Sequence, residues 1–304
     1  QGYFHLIDYL LYLNQLTLLG FQYQMELTQS IGSHPKIDIL NLRKKLIEIG
    51  NVKSHSVWRN EESAISSTRK IVKIAERLNK KAHILHITTK EEVNFLSQHK
   101  GNITFEITPQ HLTLVSPDCY DDLGTYAQMN PPIRSKDHQD RLWYAVKNNF
   151  VDIIGSDHAP HLKVNKDKKY PQSPSGMPGV QTLLPIMLDH VNRNRLTINQ
   201  LVSFVCENPV KIFNINNKGY IKKGFDADLT IIDMNKFEKI DKNKIFKEIN
   251  YQHPLFSTDS ILAQRDIRNI QGRQRVYFSG AWLRYGFHED GLKSSIELKN
   301  NFKI

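Results

Sequence analysis

Asp157, His158 and His161 fall within five residues of one another, directly after the apolar run Val151–Ile154. A carboxylate and two imidazoles at that spacing can hold a divalent cation or move a proton. An apolar strand ending in such groups is how a parallel α/β barrel presents its chemistry. The strand is buried, and the loop at its C-terminal end carries the site. Two roles suit Asp157: ligand to a divalent metal, or general base for a metal-bound water, whose pKa zinc brings to about 7. An ordinary strand followed by a polar turn is the plain alternative. His161, further into the loop, is placed to hold an anionic group of a substrate.

A second candidate group lies in Ala82–Thr88, which reads as a strand. His83 and His86 stand three apart there, and alternation along a strand points them to opposite faces. Only one then faces a shared site, and His86, nearer the C-terminal end, is the expected ligand. A packed core histidine is the alternative. Asn130 precedes two prolines, which would fix it to hydrogen-bond a substrate. An Asx-turn accounts for it equally well.

The elements that must position these groups follow in order. Residues 37–49 place Ile39, Leu42, Leu46 and Ile49 at helical spacing, with Gly50 as the stop. Asn60 caps a long amphipathic helix with Ala64, Ile65, Ile71, Val72, Ala75 and Leu78 on one face. A helix over 90–98 and a strand over 102–108 come next. The Pro-broken loop Met129–Arg134 then leads to a helix from Ser135 through Val146. Beyond the central strand, Lys163–Tyr170 reads as a basic loop and Ser173–Gly179 as a rigid Pro/Gly turn. Apolar-faced helices span 180–191 and 197–213. Residues 218–234 read as a turn and a strand, Leu229–Ile232, of a small appended sheet. Strands alternating with helices over 80–213 mark parallel βαβ units.

Bulk composition narrows the class. A chain of 304 residues with 39% hydrophobic and 24% charged residues is a soluble globular protein. Its net charge of +10 is spread through Lys/Asn/Ile-rich stretches, with no aromatic-plus-basic motif, so a nucleic-acid partner is not expected. Cys119 and Cys206 are the only cysteines, which suits a reducing cytoplasm. The most apolar segment, Tyr9–Phe21, is too short and interrupted to span a bilayer, so no membrane association is expected. Residues 1–35 hold none of the 41 Lys and Arg, and no role is assigned to them. The chain opens on Gln1, read as a missing natural start.

From about Leu40 to Ile245 the chain resembles a class I dihydroorotase of the amidohydrolase superfamily. The stretches that carry the resemblance are HSVWRNEESAISSTRK, HILHITTKEEV, FEITPQHLTL, LGTYAQMNPPIRS, DIIGSDHAPH, YPQSPSGMPGVQTLLPIMLDHVN, NPVKIF and KGYIKKGFDADLTIID. That family uses zinc to hydrolyse or close the cyclic amide relating dihydroorotate to carbamoyl-aspartate. The resemblance implies two zinc ions and a small-molecule substrate. It implies His86 as a zinc ligand, Asp157 as ligand and catalytic base, and Asn130 and His161 in contact with substrate. Backbone around Ser175–Gly176 would hold the substrate carboxylate. His34 stands where the family has a further metal-binding histidine, in a poorly matching context.

Two family features are missing. No two histidines are two apart, and residues 1–35 contain no lysine to bridge two metals. The expected fold is therefore α/β, the later half of a TIM-like amidohydrolase barrel. A homo-oligomer would complete it. The expected segments are 1–36, unassigned; 37–214, partial barrel; 215–245, small β element; and 246–304, a strand–turn–helix tail. The tail resembles the C-terminus of a flavin-dependent amine-oxidase-like oxidoreductase, through INYQHPLF, AQRDIRNIQG and VYFSGAWLRYGFHEDGLKSSIEL. No GxGxxG accompanies it to anchor a dinucleotide, so no flavin cofactor is expected. A non-catalytic remnant of the barrel, a flavin-binding fragment and a composite reading frame are the alternative readings.

Overall fold

The computed structural model describes residues 35–99, 101–236 and 267. The chain divides into a unit of residues 1–237 and a unit of residues 238–304. The expected flavoprotein-like tail falls in the second, outside the described residues apart from Ile267. The expectation for residues 1–34 also lies outside the described residues.

Three parallel strands lie side by side in the order β1 (Ala82–Ile84), β2 (Ile103–Ile107), β3 (Ile153–Ile154). His83 sits opposite Thr104, and Ile107 opposite Ile154. A helix precedes each strand: α3 (Glu61–Arg77), α4 (Lys90–Leu96) and α7 (Lys136–Lys147). Local sequence explains their starts. The Asn60 side chain accepts the Ser63 N–H, and Thr89 with Glu92 closes a reciprocal capping box. The strands are buried, with Phe105 and Ile107 at 1% and 0% exposure. One core joins Val72, Ala75, Val93, Leu142, Val146, Met187 and Phe204 around them.

Other elements are α1 (Pro35–Arg43), α2 (Ser54–Trp58), α5 (Pro109–Thr113), α6 (Asp118–Leu123), α8 (Lys163–Lys166), α9 (Leu183–Asn192), α10 (Ile198–Val202) and α11 (Asn208–Ile212). A π-turn, Ser203–Glu207, separates the last two.

Four expectations are corrected. The predicted 37–49 helix ends at Arg43 and tightens into a 3-10 turn; Leu42, still within the helix, and Ile49, beyond the turn, are both exposed. The strand over 82–88 stops at Ile84, because His86 adopts φ +41° and breaks the extended run. The continuous helix over 197–213 is interrupted by the π-turn. No strand forms at 229–232 among the described residues, where Leu229 and Ile231 are exposed. The alternation of that stretch needs a pairing strand, and no described segment supplies one.

Candidate active site

The ends of β1 and β3 flank the end of β2, about 10 Å apart at the usual strand spacing. Both ends turn through a left-handed residue that is not glycine: His86 at φ +41° and Asp157 at φ +42°. Such backbone is held only where the surroundings enforce it, and it concentrates at functional sites. The ladder continues on either side of β2. The Ile87 N–H bonds Glu106 O at 2.9 Å, and the Gly155 N–H bonds Ile107 O at 3.0 Å. The alternation argument that chose His86 over His83 therefore stops at Ile84, and the kink at His86 decides its direction instead.

Asp157 is largely shielded from solvent. Burial first, and the Glu106 carboxylate second, push its carboxyl up to about 7. Glu106 is a residue the motif reading passed over. It lies on β2 at 1% exposure, with Oε1 buried and unpaired among the described residues. His83 Nε2 stands 3.4 Å from Oε2, and His83 Nδ1 contacts Thr104 Oγ1 at 2.8 Å. His83 thus belongs to a buried polar row on one sheet face. Gly155 leaves room for that row, since a Cβ there would lie 2.6 Å from the Glu106 carboxyl.

His158 does not join Asp157 as a free imidazole. Its Nδ1 accepts the Gly179 and Val180 N–H groups at 3.0 and 3.2 Å and ties the strand loop to the chain entering α9. His161 is exposed, and its Nε2 meets Ser175 O at 3.1 Å. Gly176 takes φ +153°, and a Cβ there would come within 2.8 Å of His161 Nε2 and closer still to the Ala159 carbonyl. Only glycine fits that approach. The Gly176 N–H bonds Gln128 O at 2.9 Å. Gln128 Nε2 donates to Ser173 O at 3.1 Å and Ser175 Oγ at 2.9 Å. His161, Ser175 and Gly176 are thus brought together, against the chain two residues before Asn130.

Asn130 itself is exposed, and a buried histidine holds it. His55 Nε2 lies 3.0 Å from Met129 O and 3.1 Å from Asn130 Oδ1, so its N–H donates to both acceptors. Burial lowers His55 to about 4, which keeps it neutral. The Asn130 side-chain oxygen is occupied, which leaves the amide N–H groups for another partner. His111 supports the same loop from below. Its Nε2 donates to Pro131 O at 3.1 Å, and the Thr108 hydroxyl donates to its Nδ1 at 2.7 Å. Burial lowers His111 to about 4 as well.

Lys166 is the least expected member. The basic run 163–170 reads as a solvated loop. Its first turn is α8, and Lys166 is only 4% exposed. Its Nζ donates to Gln128 O, Pro174 O and Gly176 O at 3.0, 3.1 and 3.1 Å. Burial brings it down to about 8. No local signal separates Lys166 from Lys163, Lys168 or Lys169.

The implied metal site fares differently. Among the described residues no three His, Cys, Asp or Glu side chains gather to hold an ion. His34 lies outside the described residues. His86 lines a cleft with Arg59, Pro131, Pro132 and Arg134, and shares no such ion-holding cluster with Asp157. The described residues alone do not fit a zinc pair.

Residues 20–263 match the model of the amidohydrolase family. The chain belongs to that family. A dihydroorotase from Methanosphaera stadtmanae is 34% identical over 217 residues, covering 70% of this chain and 49% of that protein. A dihydroorotase from Pyrococcus furiosus is 37% identical over 180 residues, 58% of this chain and 41% of that protein. Among solved structures, the L-hydantoinase (dihydropyrimidinase) from Arthrobacter aurescens superposes with a TM-score of 0.59 at 26% identity, over 63% of this chain and 44% of that one. The chain spans about half the length of the curated relatives it matches. The family implies a metal, and the fold neighbours are hydantoinases and dihydropyrimidinases by name. No described helix is long and apolar enough to cross a membrane.

Proposed function

We propose that this chain carries the substrate-holding half of a dihydroorotase-type cyclic amidohydrolase acting in the cytoplasm. The observation that carries the reading is the convergence of His161, Ser175, Gly176 and the Asn130 loop beside Asp157 at one end of three parallel strands. Relatives named dihydroorotase, at 34% and 37% identity, support it.

The reaction adds water to a ring amide of dihydroorotate. The water oxygen bonds to the carbonyl carbon, the ring C–N bond breaks, and the nitrogen takes a proton to give carbamoyl-aspartate. Asp157 accepts the proton from the attacking water and returns it to the leaving nitrogen. The ring carboxylate is held by His161 and the Ser175–Gly176 backbone, and an amide N–H of Asn130 binds a ring oxygen. These contacts fix the ring against Asp157, which is the positioning contribution to the rate. Zinc is the expected metal, with His86 and Asp157 as ligands. The described residues do not complete its site, so no step is routed through it.

The test is conversion of dihydroorotate to carbamoyl-aspartate by the full chain with zinc supplied, followed by chromatography. Conversion by the parent, lost in Asp157→Asn, supports the reading. Equal conversion by both proteins removes Asp157 from the chemistry. A parent that neither converts nor binds the ring leaves the chain as a non-catalytic member of the family.

A further inference from the structure

Lys166 spends all three ammonium protons on main-chain carbonyls. It therefore has no donor left for a ligand, yet it brings a full positive charge into a buried position. None of its described contacts is a carboxylate. An unpaired buried charge is costly, and the neighbouring element offers no relief: Asp167, next in sequence, accepts from the Tyr126 hydroxyl. The turn it grips carries no titratable side chain of its own; His161, from the loop after β3, meets it at Ser175 O.

The three carbonyls have a shared consequence. Two of them, from Pro174 and Gly176, bracket the Ser175–Gly176 turn, and the third belongs to Gln128, which also accepts the Gly176 N–H. One ammonium thus fixes the turn and the approach to Asn130 as a single piece. The Pro174 carbonyl and the Ser175 N–H belong to one peptide unit. A cation on that oxygen polarises the unit and makes the N–H a stronger donor. Among the described hydrogen bonds none takes the Ser175 N–H.

We propose that Lys166 sets the charge preference of this site, selecting cyclic amides that bear a carboxylate over neutral rings of the same shape. It does so as a positioning residue, through the turn it holds and the charge it places behind it. The inference rests on the proposed function above. It bears on a difference among the relatives: some are named dihydroorotase and others hydantoinase or dihydropyrimidinase, and the ring of dihydroorotate carries a carboxylate whereas dihydrouracil does not.

The experiment is calorimetric binding of dihydroorotate and of dihydrouracil to the full chain, in the parent, Lys166→Met and Lys166→Arg. The parent is expected to prefer the anion by about tenfold, the scale of one partly screened charge. Lys166→Met should lose that preference and keep dihydrouracil affinity within about twofold, and Lys166→Arg should restore part of it. Equal weakening of both rings in Lys166→Met overturns the inference, because it makes the lysine a structural clamp. A parent without preference overturns it too. A parent that binds neither ring overturns the proposed function and this inference together.

Should Lys166→Met fail to fold, pH supplies the same test in a folded protein. In Asp157→Asn, which removes the carboxyl that burial and Glu106 push up to about 7, the preference should fall from pH 7 to pH 9 as Lys166 loses its proton near pH 8. A preference that stays flat across that range overturns the inference.

Discussion

The two ends of the strand layer are built to different standards of completeness. Around β3, the groups that would touch a substrate are held by partners within residues 128–180. Gln128 and Lys166 hold the Ser175–Gly176 turn, and His158 pins the loop to Gly179 and Val180. His55 adds a brace to Asn130 from outside that range. Around β1, His86 has a left-handed backbone but belongs to no described ion-holding group. On the proposed function, the difference teaches that ring recognition would be encoded in one contiguous stretch, whereas a metal centre draws ligands from the ends of several strands around a barrel.

The largest effect that tests this contrast is on chemistry. Asp157→Asn should lower ring hydrolysis by at least about a thousandfold, the upper range for a general base, and leave dihydroorotate affinity within about threefold. A matching loss of affinity would show that Asp157 belongs to ring recognition as well. Next comes the turn. Gly176→Ala forces a Cβ against Ala159 and His161 at a backbone angle that side chains avoid. Dihydroorotate affinity should fall by about tenfold to a hundredfold, with the melting temperature little changed. Unchanged affinity would remove the turn from the site.

How far the sequence carries this picture varies by element. The helices at 61–77, 90–96 and 136–147 and the parallel strands between them follow from caps and periodicity. Asp157 and His161 stand out by their spacing and Gly176 by the family resemblance, and the loops of His161 and Gly176 meet. Lys166 and His55 do not stand out, because a buried lysine and a bracing histidine look locally like a charge run and a lone polar residue. Their roles come from carbonyls 8 to 75 residues away. Glu106 is hidden for a related reason. A carboxylate inside an apolar strand is legible only once Gly155 and His83 are beside it. The failure of the 229–232 strand is of another kind, since a strand needs a neighbour that its own alternation cannot provide.

Acid sharpens the contrast further. His55 and His111 titrate near 4 in the folded chain against an ordinary 6.5, so the unfolded chain binds more protons between those values. Their contribution is complete above pH 6.5, falls as pH drops through the window, and levels off below 4. The change is at most about 3 kcal/mol for each imidazole. Denaturant melts at pH 7 and pH 4.5 should show the loss, and His111→Gln should reduce the slope. Hydrogen exchange should open first in the Asn130 loop that both imidazoles hold. A flat stability profile would place charged imidazoles in that loop.

The smallest expected effect falls on the other side. His86→Ala should leave dihydroorotate affinity within about twofold while lowering the zinc retained per folded chain. Loss of ring affinity with zinc unchanged would move His86 to the substrate side.

The most direct measurement is a calorimetric titration of the metal-stripped full chain with dihydroorotate. The account predicts binding without metal, abolished or strongly weakened by Gly176→Ala. Binding that appears only when zinc is restored would contradict the claim that this stretch recognises the ring by itself.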